Sequence, residues 1–257
     1  MREKFITPFL IIILFQTPLF SQDKFSIPQF GAESLQFIER PLKLENNDWL
    51  NLALVSAGTI LVMQADQPVR KALLEDQRYK NSFPVEAGRI WGEAYPTAII
   101  AGVFGLHGLL ADDQSTKKIG FEIVQSALYS GAITTFIKIA AGRTRPFTNR
   151  SSGTYKPFTF FDDDFHSLPS GHVTLAFSLS TVLSKNAKSD ILKIGAYLPA
   201  LLTAVSRIYQ NNHWASDAFL GAAIGYFVGS WVTDLHEKND SPVEALSLFP
   251  LIVRIKL

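Results

Sequence analysis

The sequence predicts an all-α protein, a bundle of about six helices with a short N-terminal arm and a short C-terminal strand. Two observations support this fold class. Apolar residues recur at helical spacing, most clearly over residues 117–141. Uncharged apolar runs also occupy residues 49–65, 94–111 and 167–184. Because each run is shorter than the about 20 residues of a comfortable membrane span, we expect core helices in a soluble or peripheral bundle.

The first 21 residues resemble a secretory signal peptide. Arg2 and Lys4 precede an apolar stretch, residues 5–15, and cleavage is expected after Ser21. We therefore expect an exported protein of the periplasm or cell envelope, with membrane association left open. An uncleaved anchor is the alternative.

Prolines divide the next part of the chain in this interpretation. Residues 22–48 contain Pro28 and Pro41 and are interpreted as an irregular N-terminal arm. Pro68 is expected to close the first helix, and Pro84 to break a solvated helix in the polar segment that follows.

Residues 49–237 form the predicted helical domain. Its helices are expected, in order, over residues 49–65, 94–111, 117–141, 173–183, 190–209 and 215–236. Residues 148–165 have the composition of a loop. Residues 238–257 form a tail whose last residues alternate in polarity, as in a strand.

Composition excludes several classes of function. The 257-residue chain fits one domain, and its net charge of +1 argues against a nucleic-acid surface. The absence of cysteine excludes disulfides, thiolate metal sites and a cysteine nucleophile. Composition leaves the oligomeric state unknown.

The stretch Leu168-Pro169-Ser170-Gly171-His172 predicts an anion site at a helix start. Ser170 is the expected N-cap residue, and Gly171 allows a ligand to approach the backbone closely. Free N–H groups at a helix N-terminus favour an anion, and His172 adds a side chain that can carry a proton.

Cations come from two other segments. Lys138 and Arg145 are seven residues apart, about two helical turns, and Pro146 follows. Arg207 closes a later apolar helix. Lys138 and Arg207 have no carboxylate within a turn or two, and burying them unpaired would cost several kcal/mol each. A phosphate-like anion between them and Ser170 would remove that cost.

His213 and Asp217 complete the candidate site. One turn separates them, so Asp217 can accept the Nδ1 proton of His213 and leave Nε2 free as a nucleophile or base. Asn211 or Asn212 is expected to cap the helix, which puts His213 in its first turn.

These residues together resemble a known motif. The order Lys138, Arg145-Pro146, Pro169-Ser170-Gly171-His172, Ser206-Arg207, His213 and Asp217 is similar to the three-part signature of the type 2 phosphatidic acid phosphatase and vanadium haloperoxidase superfamily. Every signature position is matched in order. The resemblance covers about 80 residues directly, and the surrounding helices fit the bundle of that superfamily.

The resemblance implies a role for each residue. Phosphoryl oxygens would be held by Lys138, Arg145, Arg207, Ser170 and Gly171. His213 would attack phosphorus to form a phosphohistidine, and Asp217 would orient it. His172 would protonate the leaving group and then activate water. The mechanism implied uses no metal and no cofactor.

The resemblance also implies the functional alternatives. The leading one is a phosphatase acting on phosphate monoesters or diphosphates, with a lipid-linked substrate such as phosphatidate or a polyprenyl diphosphate. A small-molecule acid phosphatase remains open. A vanadate-dependent haloperoxidase would hold vanadate on His213, but such enzymes are generally much larger. A binding protein with a relic pocket is the non-enzyme alternative.

Other polar residues have a less specific interpretation. His107 and His236 are interpreted as packing or surface residues, and His166 as a loop residue. The acidic run 162–164 is expected to form a solvated rim, and Tyr209 and Trp214 are expected at the substrate entrance.

Overall fold

The computed structural model describes residues 24–239, and most of them are helical. The α-helical segments are α1 (Ile27–Glu39), α2 (Asn46–Met63), α3 (Asp66–Glu75), α4 (Phe83–Trp91), α5 (Ala94–Leu110), α6 (Gln114–Ala141), α7 (Gly171–Asn186), α8 (Asp190–Gly195), α9 (Leu198–Tyr209) and α10 (Ala215–Asn239). The described part of the chain contains no strand beyond one isolated bridge. The all-α prediction is confirmed, but the count of about six helices is wrong. The predicted signal peptide and terminal strand lie outside the described residues.

Proline residues account for much of the difference in helix count. Pro28, Pro84 and Pro199 lie in the first turns of α1, α4 and α9. At a helix start the missing N–H costs nothing, and the fixed φ of proline suits the helix. The interpretation of residues 22–48 as an irregular arm was therefore wrong, and so was that of Pro84 as a break. The predicted helix 190–209 is divided for the same reason.

Three long helices form the centre of the bundle. Helix α7 packs against α6 and α10 along its length. Gly221, Gly225 and Gly229 of α10 face α7, and a Cβ on Gly225 would lie 2.3 Å from the carbonyl oxygen of Thr174. Backbones that approach this closely are typical of small residues repeated every four positions. Gly221 lies against Ser170 and Gly229 against Thr181, so the contacts follow the same order along both helices. Helices α7 and α10 therefore run parallel, with their N-termini side by side.

The outer helices bury small or polar residues and expose large apolar ones. In α5 the buried residues are Thr97, Ala101 and Gly108. Its exposed large residues include Ile99 and Val103. This pattern is the reverse of an amphipathic helix in water.

Among the described residues, three helical stretches are long and apolar enough to cross a membrane: Gln114–Ala141, Asp190–Tyr209 and Ala215–Glu237. Helices α2 and α3 would together form a fourth stretch, bent by 48°. Sequence reasoning underestimated these lengths because it counted only runs free of charged residues, and helices also extend through charges at their ends.

Candidate active site

The predicted signature residues meet at one end of the central helices. The C-terminus of α6 lies beside the N-termini of α7 and α10. Gly142 follows the last residue of α6 and adopts the left-handed conformation, with φ of +59°. A cavity of about 350 Å³ opens at this point. Five of the eight predicted site residues line it: Lys138, Arg145, Gly171, His172 and His213.

Lys138, which lines the cavity, and Arg207, which lies near it, have few protein partners. The Lys138 ammonium donates to the carbonyl oxygen of His166 at 2.6 Å and makes no ion pair within residues 24–239. Arg207 is buried and donates only a long bond, 3.4 Å, to the Gln210 side chain. Its Nε has no hydrogen-bond partner among the described residues. Burying a cation without a carboxylate partner costs free energy, and a bound anion would remove that cost. The charges of the cavity therefore favour an anion as its ligand.

Arg145 differs because it does have an acidic partner. Its guanidinium donates to the exposed Asp163 carboxylate at 2.7 Å and to the carbonyl oxygen of the same residue at 2.9 Å. Another of its nitrogens lies 3.3 Å from Nε2 of His213. The acidic loop therefore holds Arg145 against the predicted nucleophile.

His213 is buried with one ring nitrogen turned toward the cavity. Burial lowers its pKa to about 3, and Lys138 and Arg145 act in the same direction against Asp217. The imidazole is therefore neutral at neutral pH, as a nucleophile must be. Its Nδ1 lies 3.6 Å from Oδ2 of Asp217, which is longer than a hydrogen bond. Such contacts are often long in ligand-free sites.

The predicted cap of the next helix was wrong. Helix α10 begins at Ala215, and Asn211 instead adopts the left-handed conformation with φ of +60°. Asp217 closes the first turn, because its Oδ2 accepts a hydrogen bond from the backbone N–H of Trp214 at 2.9 Å. His213 therefore lies just before the helix rather than inside it.

Asp217 is held by residues that sequence reasoning missed. Its Oδ1 accepts from Arg143 at 2.7 Å, and its Oδ2 accepts from the Ser167 hydroxyl. Arg143 also donates to the buried Asp66 of α3 at 2.7 Å. Arg143 is thus fully paired and serves to position Asp217. Its location within the Lys138–Arg145 segment was visible in the sequence, but its distant partner Asp66 was not.

His172 has an acidic neighbour that was also missed. Its Nε2 lies 3.3 Å from Glu93, the residue that precedes α5. Burial lowers the pKa of His172, Arg207 lowers it further, and Glu93 raises it. The only sequence signal for Glu93 was a single charge at the edge of an apolar run.

Ser170 and Gly171 fill different roles. Ser170 is the N-cap of α7, but its hydroxyl makes no capping bond, and its N–H donates to the carbonyl oxygen of Asp217 at 3.0 Å. Its buried Oγ has no partner among the described residues. Gly171 lines the cavity, and a Cβ there would lie 3.8 Å from Cε of Lys138.

The remaining candidates lie elsewhere. Trp214 is buried and donates to the carbonyl oxygen of Thr144 at 2.8 Å, so it does not form an entrance. The Tyr209 hydroxyl donates to the carbonyl oxygen of Asp76. His107 is exposed, whereas His236 is buried between two glutamates. Within residues 24–239 no group of three or more His, Asp or Glu side chains is arranged to hold a metal ion.

Residues 120–241 match the family model described as the PAP2 superfamily. Over this range the chain is similar to the PAP2 superfamily. The matched range contains all eight predicted site residues. The resemblance inferred from the signature is therefore confirmed, and the superfamily accounts for the order of the motif along the chain.

Two relatives of this chain carry lipid phosphatase names. The chain is 41% identical over 75 residues to a lipid A 1-phosphatase of Porphyromonas gingivalis, which is 27% of this chain and 17% of that protein. It is 28% identical over 137 residues to an undecaprenyl-diphosphatase of Sulfolobus acidocaldarius, which is 52% of this chain and 61% of that protein. The chain thus spans less than two thirds of either relative.

A solved PAP2 structure shares the fold. It is the crystal structure of a transmembrane PAP2-type phosphatidylglycerolphosphate phosphatase from Bacillus subtilis. The TM-score is 0.50 at 22% identity, over 76% of this chain and 96% of that chain. The likeness supports the helical architecture described above.

Proposed function

We propose that this protein is a membrane phosphatase that releases phosphate from lipid phosphate monoesters or diphosphates through a phosphohistidine at His213. One observation carries the proposal. Side chains from three distant segments of the chain line a single cavity, in which the Lys138 ammonium has no carboxylate partner and a neutral imidazole faces the same space. The buried Arg207, which acts on the pKa of His172, likewise has no carboxylate partner among the described residues. A phosphate dianion supplies the charge that this cavity lacks.

The first step transfers the phosphoryl group to the enzyme. Oxygens of the phosphate are bound by Lys138, Arg145 and Arg207 and by the free N–H groups at the start of α7. Nε2 of His213 attacks phosphorus, and the bond from phosphorus to the leaving oxygen breaks. His172 gives its proton to that oxygen. The cations stabilise the charge that develops on the equatorial oxygens.

The second step returns the phosphoryl group to water. His172, now neutral, takes a proton from a water molecule as its oxygen attacks phosphorus. The bond between phosphorus and His213 breaks, and inorganic phosphate leaves. Asp217 faces Nδ1 of His213. Its carboxylate stabilises the positive charge that the ring carries while Nε2 is bonded to phosphorus. His172 gives the proton in the first step and takes it in the second, so we propose that no metal takes part.

Two features support a lipid-linked substrate. The cavity continues from the cations along α6 to Thr134 and Gly131 and meets the apolar Leu175. A Cβ on Gly131 would meet no atom within 4 Å, so this side has room for the part of a substrate next to its phosphate. The names of the relatives agree with this class of substrate.

We further propose that the protein resides in a membrane of the cell envelope. Large apolar side chains are exposed on α5 and α6. Exposing so much apolar surface to water costs free energy, so this surface supports contact with lipid. Export with cleavage after Ser21 follows from the pattern at residues 1–21. Mass measurement of the mature protein tests the cleavage directly.

A substrate panel tests the activity. Protein in detergent micelles is assayed for phosphate release from phosphatidate, a polyprenyl diphosphate and a water-soluble aryl phosphate. We expect turnover of at least one lipid phosphate, and His213→Ala should lower it by about 10³-fold or more. His107→Ala changes an exposed histidine and serves as the matched control.

Three results would overturn the proposal. Turnover of the soluble ester alone would favour a small-molecule phosphatase. Halide oxidation by peroxide with added vanadate, without phosphate release, would favour a haloperoxidase. Unchanged turnover in His213→Ala would remove the proposed nucleophile.

A further inference from the structure

The aromatic tip of a loop lies near the cavity, and its phenylalanine side chains are exposed. It consists of residues 158–161, Phe-Thr-Phe-Phe, between α6 and α7. Phe161 is fully exposed, and Phe158 and Phe160 are more than half exposed. The rings of Phe160 and Phe161 lie 6.3 Å apart, centroid to centroid. Apolar surface of this kind, gathered in four residues, indicates an interaction surface.

The tip is held in place by the backbone. The N–H of Phe158 donates to the carbonyl oxygen of Ile139 at 2.8 Å, and Lys156 donates in the same way to Gly142 at 2.7 Å. The hydroxyl of Thr159 donates to the carbonyl oxygen of Lys156 at 2.6 Å. Phe158 is held at a φ of +58°, which a bulky residue adopts only when its surroundings enforce it. The exposure of the rings is therefore built into a fixed loop.

The tip is joined to the cavity by two hydrogen bonds. Nε2 of His166 lies 2.7 Å from the carbonyl oxygen of Thr159, and, because a carbonyl only accepts, the ring nitrogen donates. The carbonyl oxygen of His166 accepts from Lys138 at 2.6 Å. The depth of the tip in a membrane would therefore fix the height of the cavity mouth relative to that membrane.

The tip also continues an apolar stripe on α6. Val124, Leu128 and Phe136 are exposed and share one face of that helix. Phe136 lies one turn before Ile139, the residue that binds Phe158. Helix α6 belongs to a stretch long and apolar enough to cross a membrane. The surface that covers this stripe also reaches the tip.

We propose that residues 158–161 enter the interfacial layer of the bilayer and hold the mouth of the cavity at the level of the lipid phosphates. Phenylalanine side chains on a surface that lies against a membrane are buried at the boundary between headgroups and acyl chains. The exposed Lys156 next to the tip suits the phosphate groups found there. Of the neighbouring acidic side chains, Asp163 is paired with Arg145. This inference rests on the proposed membrane location and adds the surface that sets the height of the site.

A single label tests the position of the tip. The chain contains no cysteine, so Phe161→Cys creates a unique site for an environment-sensitive fluorophore in the full chain reconstituted in vesicles. We expect quenching by lipids that carry a doxyl group near the headgroup end of the acyl chain. Ser151→Cys, at an exposed polar position of the same loop, is the matched control and should be quenched by aqueous iodide instead.

Two outcomes of the labelling would overturn the inference. Quenching of the Phe161→Cys label by iodide alone would place the tip in water. Shielding from both quenchers would show that protein covers the tip, either a second copy or another segment of this chain. Neither result depends on whether the protein hydrolyses lipid phosphates.

Kinetics test the consequence for the substrate. The double variant Phe160→Ser, Phe161→Ser should raise KM for a lipid phosphate in vesicles by about tenfold, since it removes two rings from the interface. The kcat/KM for a water-soluble aryl phosphate should stay within about twofold, because the cavity itself is intact. An equal loss on both substrates would contradict an interfacial role. If the unaltered protein hydrolyses no lipid phosphate, the proposed function fails while the labelling result stands.

Discussion

Two clusters of buried charged residues lie at opposite ends of the same helices, and in only one of them does the described part of the chain pair every charged group. The His236 cluster consists of His236, Glu33, Glu122, Gln125 and Asn186. Both ring nitrogens of His236 lie 3.1 Å from a glutamate oxygen, and amide groups donate to the same two carboxylates. It lies about 28 Å along α10 from Asp217, at 1.5 Å per residue.

The second cluster is that of the candidate active site, which includes His213, Ser170 and Arg207. We call it open because some of its polar atoms have no hydrogen-bond partner among the described residues. Nδ1 of His213, Oγ of Ser170 and Nε of Arg207 are buried without a hydrogen-bond partner in the part of the chain that the structure describes. Polar groups left unpaired inside a protein cost free energy, so they persist where a ligand pairs with them. The difference teaches that the presence of buried charges does not identify a site, whereas their incomplete pairing does.

The largest difference between the clusters should appear when a cation is removed from the open one. Arg207→Met should lower kcat/KM for phosphate release by about 10²- to 10³-fold, because transition-state charge loses a partner. The stability of the ligand-free protein should be unchanged or higher, since no carboxylate loses its pair. Turnover is compared with denaturation midpoints of the same sample. Turnover within a few-fold of the parent would contradict the role of Arg207.

The closed cluster should show the reverse. His236→Leu leaves two buried carboxylates without their cation and should destabilise the fold by about 3–5 kcal/mol. Turnover of the folded protein should stay within about twofold, since the site is distant. Denaturation in micelles measures the first effect and phosphate release the second.

Two further variants sharpen that test. His107→Leu changes an exposed histidine and should shift stability by no more than about 0.5 kcal/mol. Adding Glu33→Gln and Glu122→Gln to His236→Leu should recover part of the lost stability, because no charge is then buried alone. A strong loss of turnover in folded His236→Leu would contradict the separation of the two clusters.

A smaller effect is expected from Glu93, which pairs incompletely with His172. Glu93 raises the pKa of His172, so Glu93→Gln should lower it. His172 must be protonated to act as the acid, and activity is lost as pH rises through its pKa. The alkaline limb of the kcat/KM profile should therefore move to lower pH.

The same substrate must be used for both proteins, because phosphate esters titrate in this range. Glu93 and Glu86 each accept a hydrogen bond from Arg89. Glu86 is not paired with His172, so Glu86→Gln serves as the control. A limb that moves to higher pH would contradict the proposed protonation state of His172.

The smallest effect is expected from removal of metal ions. Dialysis against a chelator should leave phosphate release unchanged, because the proposed steps use only side chains. Loss of turnover that added magnesium or zinc restores would show that the open cluster needs a metal ion after all.

The candidate site could be predicted from the sequence because its parts lie at fixed spacings. Lys138 and Arg145, and likewise His213 and Asp217, are close along the chain, and their residue types suit one chemistry. Glu93 could not be predicted, because its contact with His172 joins segments that are far apart in the sequence. The same holds for Asp66, which binds Arg143 across the bundle.

The fold was predicted in class and less well in detail. Helical spacing found the long helices. Pro28 was taken as a sign of an irregular arm and Pro84 as a break, although both lie in the first turn of a helix. Periodicity could not tell which face of α5 packs, because in this chain apolar residues such as Ile99 point outward and small ones such as Ala101 point inward. In lipid, small size and not hydrophobicity marks the packed face.

The central claim is that a phosphoryl group passes through His213, and trapping it is the most direct test. His172→Ala should take the phosphoryl group from an activated aryl phosphate, whose leaving group needs no acid, and then hydrolyse the intermediate slowly. Rapid quenching at alkaline pH and peptide mass spectrometry should find one phosphoryl group on His213. Stoichiometric release of aryl alcohol with the phosphoryl group on another residue, or on none, would contradict the account.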